Sequence, residues 1–368
     1  MKRICCFCES WESGGIESFI NNMLTHMDLS DLEVDIVAAV VKESVFTAGL
    51  EHHGVRFISL SGKQRHPANR KLFRDLLRER NYDAVHFNLF QGLSLSYVQV
   101  ARQEGVPVRI AHSHNTALRK SLGRQLKLML HKLGAVLYTG EATDLWACSE
   151  EAAKFLFHRK VLEQKGFTFI PNGIEAERFR FDSAERNAVR AELGVADAFV
   201  IGSVGRLCYQ KNQDFLLDIF AQTVPHRPES RLLLVGEGEL EQHLREKAQR
   251  LGIADRVIFY GVTDRVERLF WAMDAFVFPS RFEGLGIVAV EAQASGLPVL
   301  CSREVPKEAH VSDLIKALSL DEQALWVEAL LKLPVSAEGR EYAADVIRQA
   351  GFDVQSAAGR IFEKYREK

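Results

Sequence analysis

Phe199-Val200-Ile201-Gly202-Ser203-Val204 is a short, largely apolar run, and Gly205-Arg206-Leu207-Cys208-Tyr209-Gln210-Lys211-Asn212 follows it directly. The run reads as a buried strand, and the glycine-bearing polar stretch as the turn that ends it. From residue 212 to residue 222 the apolar positions recur at helical spacing. Strand, turn and helix in this order open a βαβ unit, and here one opens in the middle of the chain.

The same alternation continues on both sides. Downstream, residues 232–235, 257–260, 275–278 and 298–301 read as strands, with helical patterns over 240–251, 266–272 and 287–294 between them. Upstream, strands are expected at 4–7, 34–41, 56–60, 84–88, 109–113 and 145–147, and helices at 16–26, 69–79 and 93–104. Such repetition implies parallel sheets covered on both faces. At 368 residues the chain is too long for one ordinary core and about right for two. The fold class expected is therefore α/β with two Rossmann-like domains, and the turn tripeptide Pro171-Asn172-Gly173 marks the seam. We place the domains at residues 1–176 and 177–350. A last helix in residues 351–368, with Val354, Ala357, Ala358, Ile361, Phe362 and Tyr365 apolar, is expected to return to the first domain. Open α/β sheets bind ligands at the carboxyl ends of their strands, so two such domains facing each other would enclose a cleft.

Composition narrows the class. Hydrophobic residues make up 47% and charged residues 26%, with nine prolines and no low-complexity tract, as in a folded globular protein. No apolar run approaches the roughly 20 residues of a membrane-spanning helix. The apolar stretch after Lys2-Arg3 is too short for a signal peptide, so it reads as a first strand of a cytoplasmic protein. Cys5, Cys6 and Cys8 crowd that strand, and Cys148, Cys208 and Cys301 are scattered, with no pair of C-x-x-C motifs for zinc. Reduced thiols packed as small hydrophobes are expected. The net charge is −2, but residues 63–132 hold fourteen Lys and Arg against four Asp and Glu. That region points to an anionic partner. Nucleic acid fits poorly, because no aromatics interleave with the basic residues.

Three stretches carry chemistry. Gly14-Gly15 follows the first strand and opens a helix, where backbone amides can approach an anion; a tight turn without ligand is the plainer alternative. The full G-x-G-x-x-G pattern is absent, so no nicotinamide cofactor is expected. Arg206 and Lys211, just past the strand at 199–204, suit a diphosphate: a fork of donors and a point charge. Glu283-Gly284-Leu285-Gly286-Ile287-Val288-Ala289-Val290-Glu291 sets one carboxylate in a glycine loop and a second about one turn inside the next helix. Carboxylates there can accept hydrogen bonds from sugar or ribose hydroxyls.

With these motifs, His112-Ser113-His114-Asn115, Pro171-Asn172-Gly173-Ile174 and Gly236-Glu237-Gly238, the chain resembles the retaining glycosyltransferases of family 4, of the GT-B fold. The likeness runs nearly end to end, and its His-Ser-His-Asn and 205–212 segments look like the exopolysaccharide and capsule branch. The resemblance implies that Arg206 and Lys211 hold the donor diphosphate, Glu291 the ribose, and Glu283 the hydroxyls of the transferred sugar. Backbone amides of Gly284, Leu285 and Gly286 would help, with Gly236 also near the donor and Gly14 and Gly15 reaching phosphate from the first domain. It also implies a histidine close to the sugar; His112 and His114 alternate onto one strand face, and His114 is preferred as nearer the loop. The donor implied is a nucleotide sugar, most often UDP-linked. The first domain then takes a saccharide or lipid-linked acceptor.

Breaking the anomeric bond leaves positive charge on the sugar and negative charge on the diphosphate, which preorganised cations stabilise. The chain has no D-x-D motif, and Arg206 and Lys211 can take a metal's place. Transfer without metal, and with retention, is expected. Leu118, Leu122, Leu126, Met129 and Leu133 recur at helical spacing among Arg119, Lys120, Arg124, Lys127 and Lys132. Such a helix either faces the core or rests on anionic lipid, which would make the protein peripheral on the inner face of the plasma membrane. The competing readings are a nucleotide-sugar epimerase of the same architecture and a catalytically silent sugar-nucleotide binder.

Overall fold

The computed structural model describes residues 1–12, 15–63, 67–117 and 124–367. The chain forms two compact units, Met1–Gly173 with Val354–Lys368, and Ile174–Asp353. Each is a parallel sheet flanked by helices.

The first sheet has seven strands: β1 (Lys2–Cys8), β2 (Leu32–Ala38), β3 (Arg56–Ser59), β4 (Ala84–Leu89), β5 (Val108–Ser113), β6 (Asp144–Ala147) and β7 (Thr168–Phe169), in the order β3-β2-β1-β4-β5-β6-β7. The central strand β1 is buried from Ile4 to Cys8 because both its faces are covered. All six cysteines are free; Cys6 and Cys8 pack with Ile4 beneath the first helix, Gly15–Thr25. The last helix, Val354–Arg366, lays Ala357, Ala358, Ile361 and Tyr365 on that same cluster, beside Phe19 and Met23. Burial of a stripe of this kind contributes roughly 1.5–3 kcal/mol per large side chain, which is why so short a helix holds its place.

The second sheet has six strands: β8 (Phe199–Val204), β9 (Ser230–Val235), β10 (Val257–Gly261), β11 (Ala275–Phe278), β12 (Val299–Ser302) and β13 (Ile315–Leu318), in the order β10-β9-β8-β11-β12-β13. In each sheet the strand order reverses once, beside the opening strand: at β1/β4 in the first and at β8/β11 in the second. Loops leaving the two strands at such a point diverge, and the gap at their carboxyl ends accepts ligands. The loops carrying Lys211 and Glu283 leave β8 and β11.

The expected strand at 34–41 ends at Ala38, because Val40 and Val41 turn to pair with Trp11 instead. Strands β7 and β13 were not expected. The expected helix over 118–132 is seen as Arg124–Tyr138; Leu118, Arg119, Lys120 and Leu122 lie outside the described residues. Its apolar stripe does not face the core. Leu126, Met129, Leu133, Val136 and Leu137 are all about half exposed or more, at 49–60%. The reason is on the opposite face, where Gly134 packs backbone-to-backbone on Gly92: a Cβ at Gly134 would stand 2.3 Å from the Gly92 carbonyl oxygen. His131 completes that contact. Gly92 N–H donates to its Nδ1 at 3.0 Å, and its Nε2 lies 2.7 Å from the Phe155 carbonyl oxygen. Small residues and one histidine hold the helix down, so the large apolar side chains point outward.

Candidate active site

In the second unit the loops after β8 and β9 are laced together. Gly205 N–H donates to the Val235 carbonyl, Leu207 N–H to that of Glu237, and Leu240 N–H to that of Leu207. Gly236 has φ +124° and its Cβ would stand 2.3 Å from the Gly205 carbonyl oxygen; at Gly238 the distance to the Leu207 oxygen would be 2.2 Å. No side chain fits at either position. The Gly236-Glu237-Gly238 motif therefore has a packing reason of its own, whatever Gly236 does for a ligand.

A second clasp ties the β8 loop to the β11 loop. Asn212 takes the left-handed conformation at the start of the helix Gln213–Thr223 (φ 58°), and is buried. Its Nδ2 donates to the Pro279 carbonyl at 3.1 Å, and its Oδ1 accepts from Arg281 at 2.7 Å. Gln210 Nε2 donates to the Phe282 carbonyl, and Arg281 N–H to that of Gln210. These residues fix where Lys211 and Glu283 meet. Lys211 Nζ donates to Glu283 Oε1 at 2.7 Å and lies 4.8 Å from the centre of the Phe278 ring. The Glu283 side chain is only 7% exposed, so this pair is substantially desolvated. Arg206 does not join them. It is exposed and pairs with Glu239 at 3.0 Å, both side chains more than half exposed. A pair of that kind is worth about 0–1 kcal/mol and exchanges partners readily.

Beyond Gly284 and the buried Leu285, Gly286 caps the helix Ile287–Ala294, whose first-turn backbone amides have no acceptor four residues back within the helix. Glu291 stands on that helix. Burial pushes its carboxyl up to about 7, against the opposing pull of Arg178 and Lys211. Its carboxylate forms no hydrogen bond among the described residues, although two cations lie near enough to be felt. Arg178 is held by Glu267 at 2.9 Å. It has no signal in sequence, since nothing local sets it apart from other surface arginines.

In the first unit, Gly15 opens the first helix, and among the described residues nothing lies within 4 Å of where a Cβ would stand. Packing against the described residues does not require glycine there. Gly14 lies outside the described residues. His112 and His114 share one face of the β5 end, as alternation implies, with ring centres 4.0 Å apart and the Phe19 ring against both. Both are buried, and burial holds the His114 ring down at about 3 and His112 well below its usual value, so both are neutral. A third histidine, His86 on β4, meets His112 with ring planes 8° from parallel and nitrogens 3.0 Å apart, and was missed because a lone histidine in an apolar strand has no pattern around it. The structure thus gathers Lys211, Glu283 and Glu291 in one unit and His112 with His114 in the other.

The basic region is less uniform than its count implies. Arg74 and Arg78 pair with Glu104, Arg80 with Glu33 and Asp35, and Arg102 with Glu141. The helix Arg124–Tyr138 is different: it carries Arg124, Lys127 and Lys132 and no acidic residue.

Sequence models of two families match the chain: Glycosyltransferase Family 4 over residues 13–178 and Glycosyl transferases group 1 over residues 185–325. The putative glycosyltransferase EpsF of Bacillus subtilis is 30% identical over 99% of this chain and 96% of its own length. The UDP-Gal:alpha-D-GlcNAc-diphosphoundecaprenol alpha-1,3-galactosyltransferase of Escherichia coli is 27% identical, over 62% of this chain and 59% of its own. Among solved structures, Anabaena Alr3699/HepE in complex with UDP-glucose superposes with a TM-score of 0.74 at 21% identity, covering 99% of each chain.

Proposed function

The chain belongs to the glycosyltransferases of family 4, and we propose that it transfers a hexosyl or N-acetylhexosaminyl group from a UDP-sugar, with retention of configuration, to a saccharide or lipid-linked saccharide. Its two Rossmann-like units are those of the GT-B fold, and relatives are named for Vi polysaccharide biosynthesis and for lipopolysaccharide core biosynthesis. The observation that carries the donor reading is the grouping at the β8/β11 reversal: a cation already paired to a buried carboxylate, and a second carboxylate with no hydrogen-bond donor among the described residues. A nucleoside diphosphate sugar has a complement for each. Its diphosphate draws Lys211 off Glu283, Arg206 swings from Glu239, the sugar hydroxyls donate to Glu283, and the ribose hydroxyls donate to Glu291. UDP is the nucleotide chosen because HepE holds UDP-glucose and the Escherichia coli relative is named for UDP-Gal.

As the anomeric bond breaks, charge gathers on the leaving diphosphate, where Arg206, Lys211 and the amides of Gly284–Gly286 stabilise it. The carboxylate of Glu283 lies on the side where the sugar becomes positive. Transfer then needs no divalent metal. The test is a thermal-shift panel of nucleotide sugars run in EDTA. The first unit takes the acceptor, with Gly15 and the β5 histidines as its contribution. An epimerase has no need of an acceptor, and the transferase relatives do not favour it.

Where the acceptor is lipid-linked, the helix Arg124–Tyr138 is the part that meets the bilayer. Its outward stripe of Leu126, Met129, Leu133, Val136 and Leu137 lies beside cations and lacks acids, the pattern of a helix resting in an anionic interface. No described helix is long and apolar enough to cross a membrane. The full chain is expected to sediment with phosphatidylglycerol-containing vesicles at low salt, and Leu126→Asn with Leu133→Asn to reduce that binding about tenfold. A wild-type chain that ignores such vesicles contradicts the docking.

A further inference from the structure

Tyr365, on the last helix, reaches into the first unit and ends a chain of buried polar atoms. Its hydroxyl lies 2.7 Å from His86 Nδ1, and His86 Nε2 lies 3.0 Å from His112 Nδ1. The two ring planes are 8° from parallel, and centres 5.2 Å apart with nitrogens 3.0 Å apart make the rings meet edge to edge. Across β4 and β5, His86 pairs in register with Ile110, and His112 stands two residues nearer the carboxyl edge. The chain therefore runs from the last helix toward the end of the sheet where ligands bind. At its far end, His112 Nε2 is buried and has no partner among the described residues.

The direction of the hydrogen bonds decides what that nitrogen offers. Burial keeps the Tyr365 phenol protonated and His86 neutral, its ring pushed down to about 3. A neutral imidazole has one N–H and one lone pair. Of the two possible donors across the 2.7 Å contact, a phenol is a far stronger hydrogen-bond acid than a neutral imidazole N–H. Tyr365 O–H thus donates to His86 Nδ1, His86 Nε2–H donates to His112 Nδ1, and the proton of His112 is left on Nε2. His114 is set the other way. Asn88 turns its Nδ2 to the carbonyls of Phe7 and His86, so its Oδ1 accepts from His114 Nε2–H at 2.9 Å, and His114 Nδ1 keeps a bare lone pair.

We propose that Tyr365, His86 and Asn88 are positioning residues that give the two β5 histidines opposite polarity, His112 as donor and His114 as acceptor. Neighbouring groups of that kind fit a hydroxyl, which both accepts and donates. The last helix is thereby wired to the ligand-binding edge of the first sheet, and its return to that unit has a chemical reason besides packing. This rests on the transferase reading only for the identity of the hydroxyl, a sugar's.

The test is nitrogen-15 NMR of the full chain labelled at histidine, which distinguishes Nε2–H from Nδ1–H rings. His86, His112 and His114 are expected as neutral Nε2–H rings near pH 7, and Tyr365→Phe is expected to move a measurable part of His112 to the Nδ1–H form. His112 already carrying its proton on Nδ1, or a Tyr365→Phe chain with unchanged His112 signals, overturns the proposal. Should Tyr365→Phe fail to fold, His86→Gln serves: its amide still donates to His112, which keeps its proton on Nε2, whereas in His86→Leu that preference is lost. In kinetics with UDP-glucose and UDP-N-acetylglucosamine, Tyr365→Phe is expected to lower kcat about tenfold with UDP affinity within twofold of wild type, a split that a merely structural role does not give. A wild-type chain that consumes neither sugar nucleotide defeats the proposed function, while the ring signals still decide the relay.

Discussion

Glu283→Gln leaves UDP affinity within about threefold of wild type and lowers sugar transfer by about 10²–10³-fold, the usual loss when one preorganised electrostatic group is removed. The two halves of this expectation come from one contact. Glutamine keeps an oxygen for Lys211 Nζ, so the β8 loop and its cation stay where the diphosphate needs them. What disappears is the charge. In the free protein the Glu283 carboxylate neutralises Lys211 in a largely desolvated setting. On the proposed donor grip, a diphosphate that takes Lys211 leaves the carboxylate facing the sugar with its charge uncompensated, a charge worth most as the anomeric carbon becomes positive. Isothermal titration with UDP and a transfer assay separate the effects. Equal losses in both would mean that Glu283 only holds the loop.

Glu291→Gln is expected to do the reverse and to do it with a pH signature. UDP affinity falls about 10–100-fold, because a charge-assisted hydrogen bond from each ribose hydroxyl is weakened, at roughly 1.5–3 kcal/mol for each bond lost outright. Burial raises this carboxyl from 4.5 to about 7, so at pH 6 most of the wild-type population is protonated and accepts poorly. Affinity for a UDP-sugar, whose diphosphate diester does not titrate in this range, should therefore drop roughly tenfold from pH 8 to pH 6 in wild type and stay flat in the variant. Stability moves the opposite way. A carboxyl raised on folding binds more protons in the folded state between pH 4.5 and 7, so its penalty is absent below that window and complete above it. Unfolding at pH 8 should thus show Glu291→Gln the more stable chain, by up to about 3 kcal/mol, and no difference near pH 4.5. A variant that binds UDP as wild type does removes Glu291 from the ribose site, and one that gains nothing at pH 8 contradicts the raised carboxyl.

The parallel architecture is legible because buried parallel strands are short apolar runs, and those at 199–204 and 84–88 can be nothing else beside their helical neighbours. Strand β7 has only two residues and β13 has Lys316 in its middle, too little pattern for either to be read. Lys211 and Glu283 are visible one by one, each at a strand end. Their direct pairing is not, since it depends on Asn212 accepting a left-handed backbone and on Arg281 reaching across from the next loop. The outward stripe of the Arg124–Tyr138 helix shows the limit of periodicity. Spacing marks an apolar face and does not say which face packs, and here Gly134 and Gly92 decide it. The relay through His86 and Tyr365 joins residues 279 positions apart, which no local pattern records.

The donor grip is the centre of this account, and a thermal-shift panel of UDP-, GDP- and ADP-sugars in EDTA tests it most directly. At least one UDP-sugar at about 100 times its dissociation constant should stabilise the chain by roughly 2.7 kcal/mol, a shift of several degrees, with Lys211→Met and Glu291→Gln losing most of it. A chain that no nucleotide sugar stabilises, or that responds only once Mg²⁺ or Mn²⁺ is restored, contradicts it.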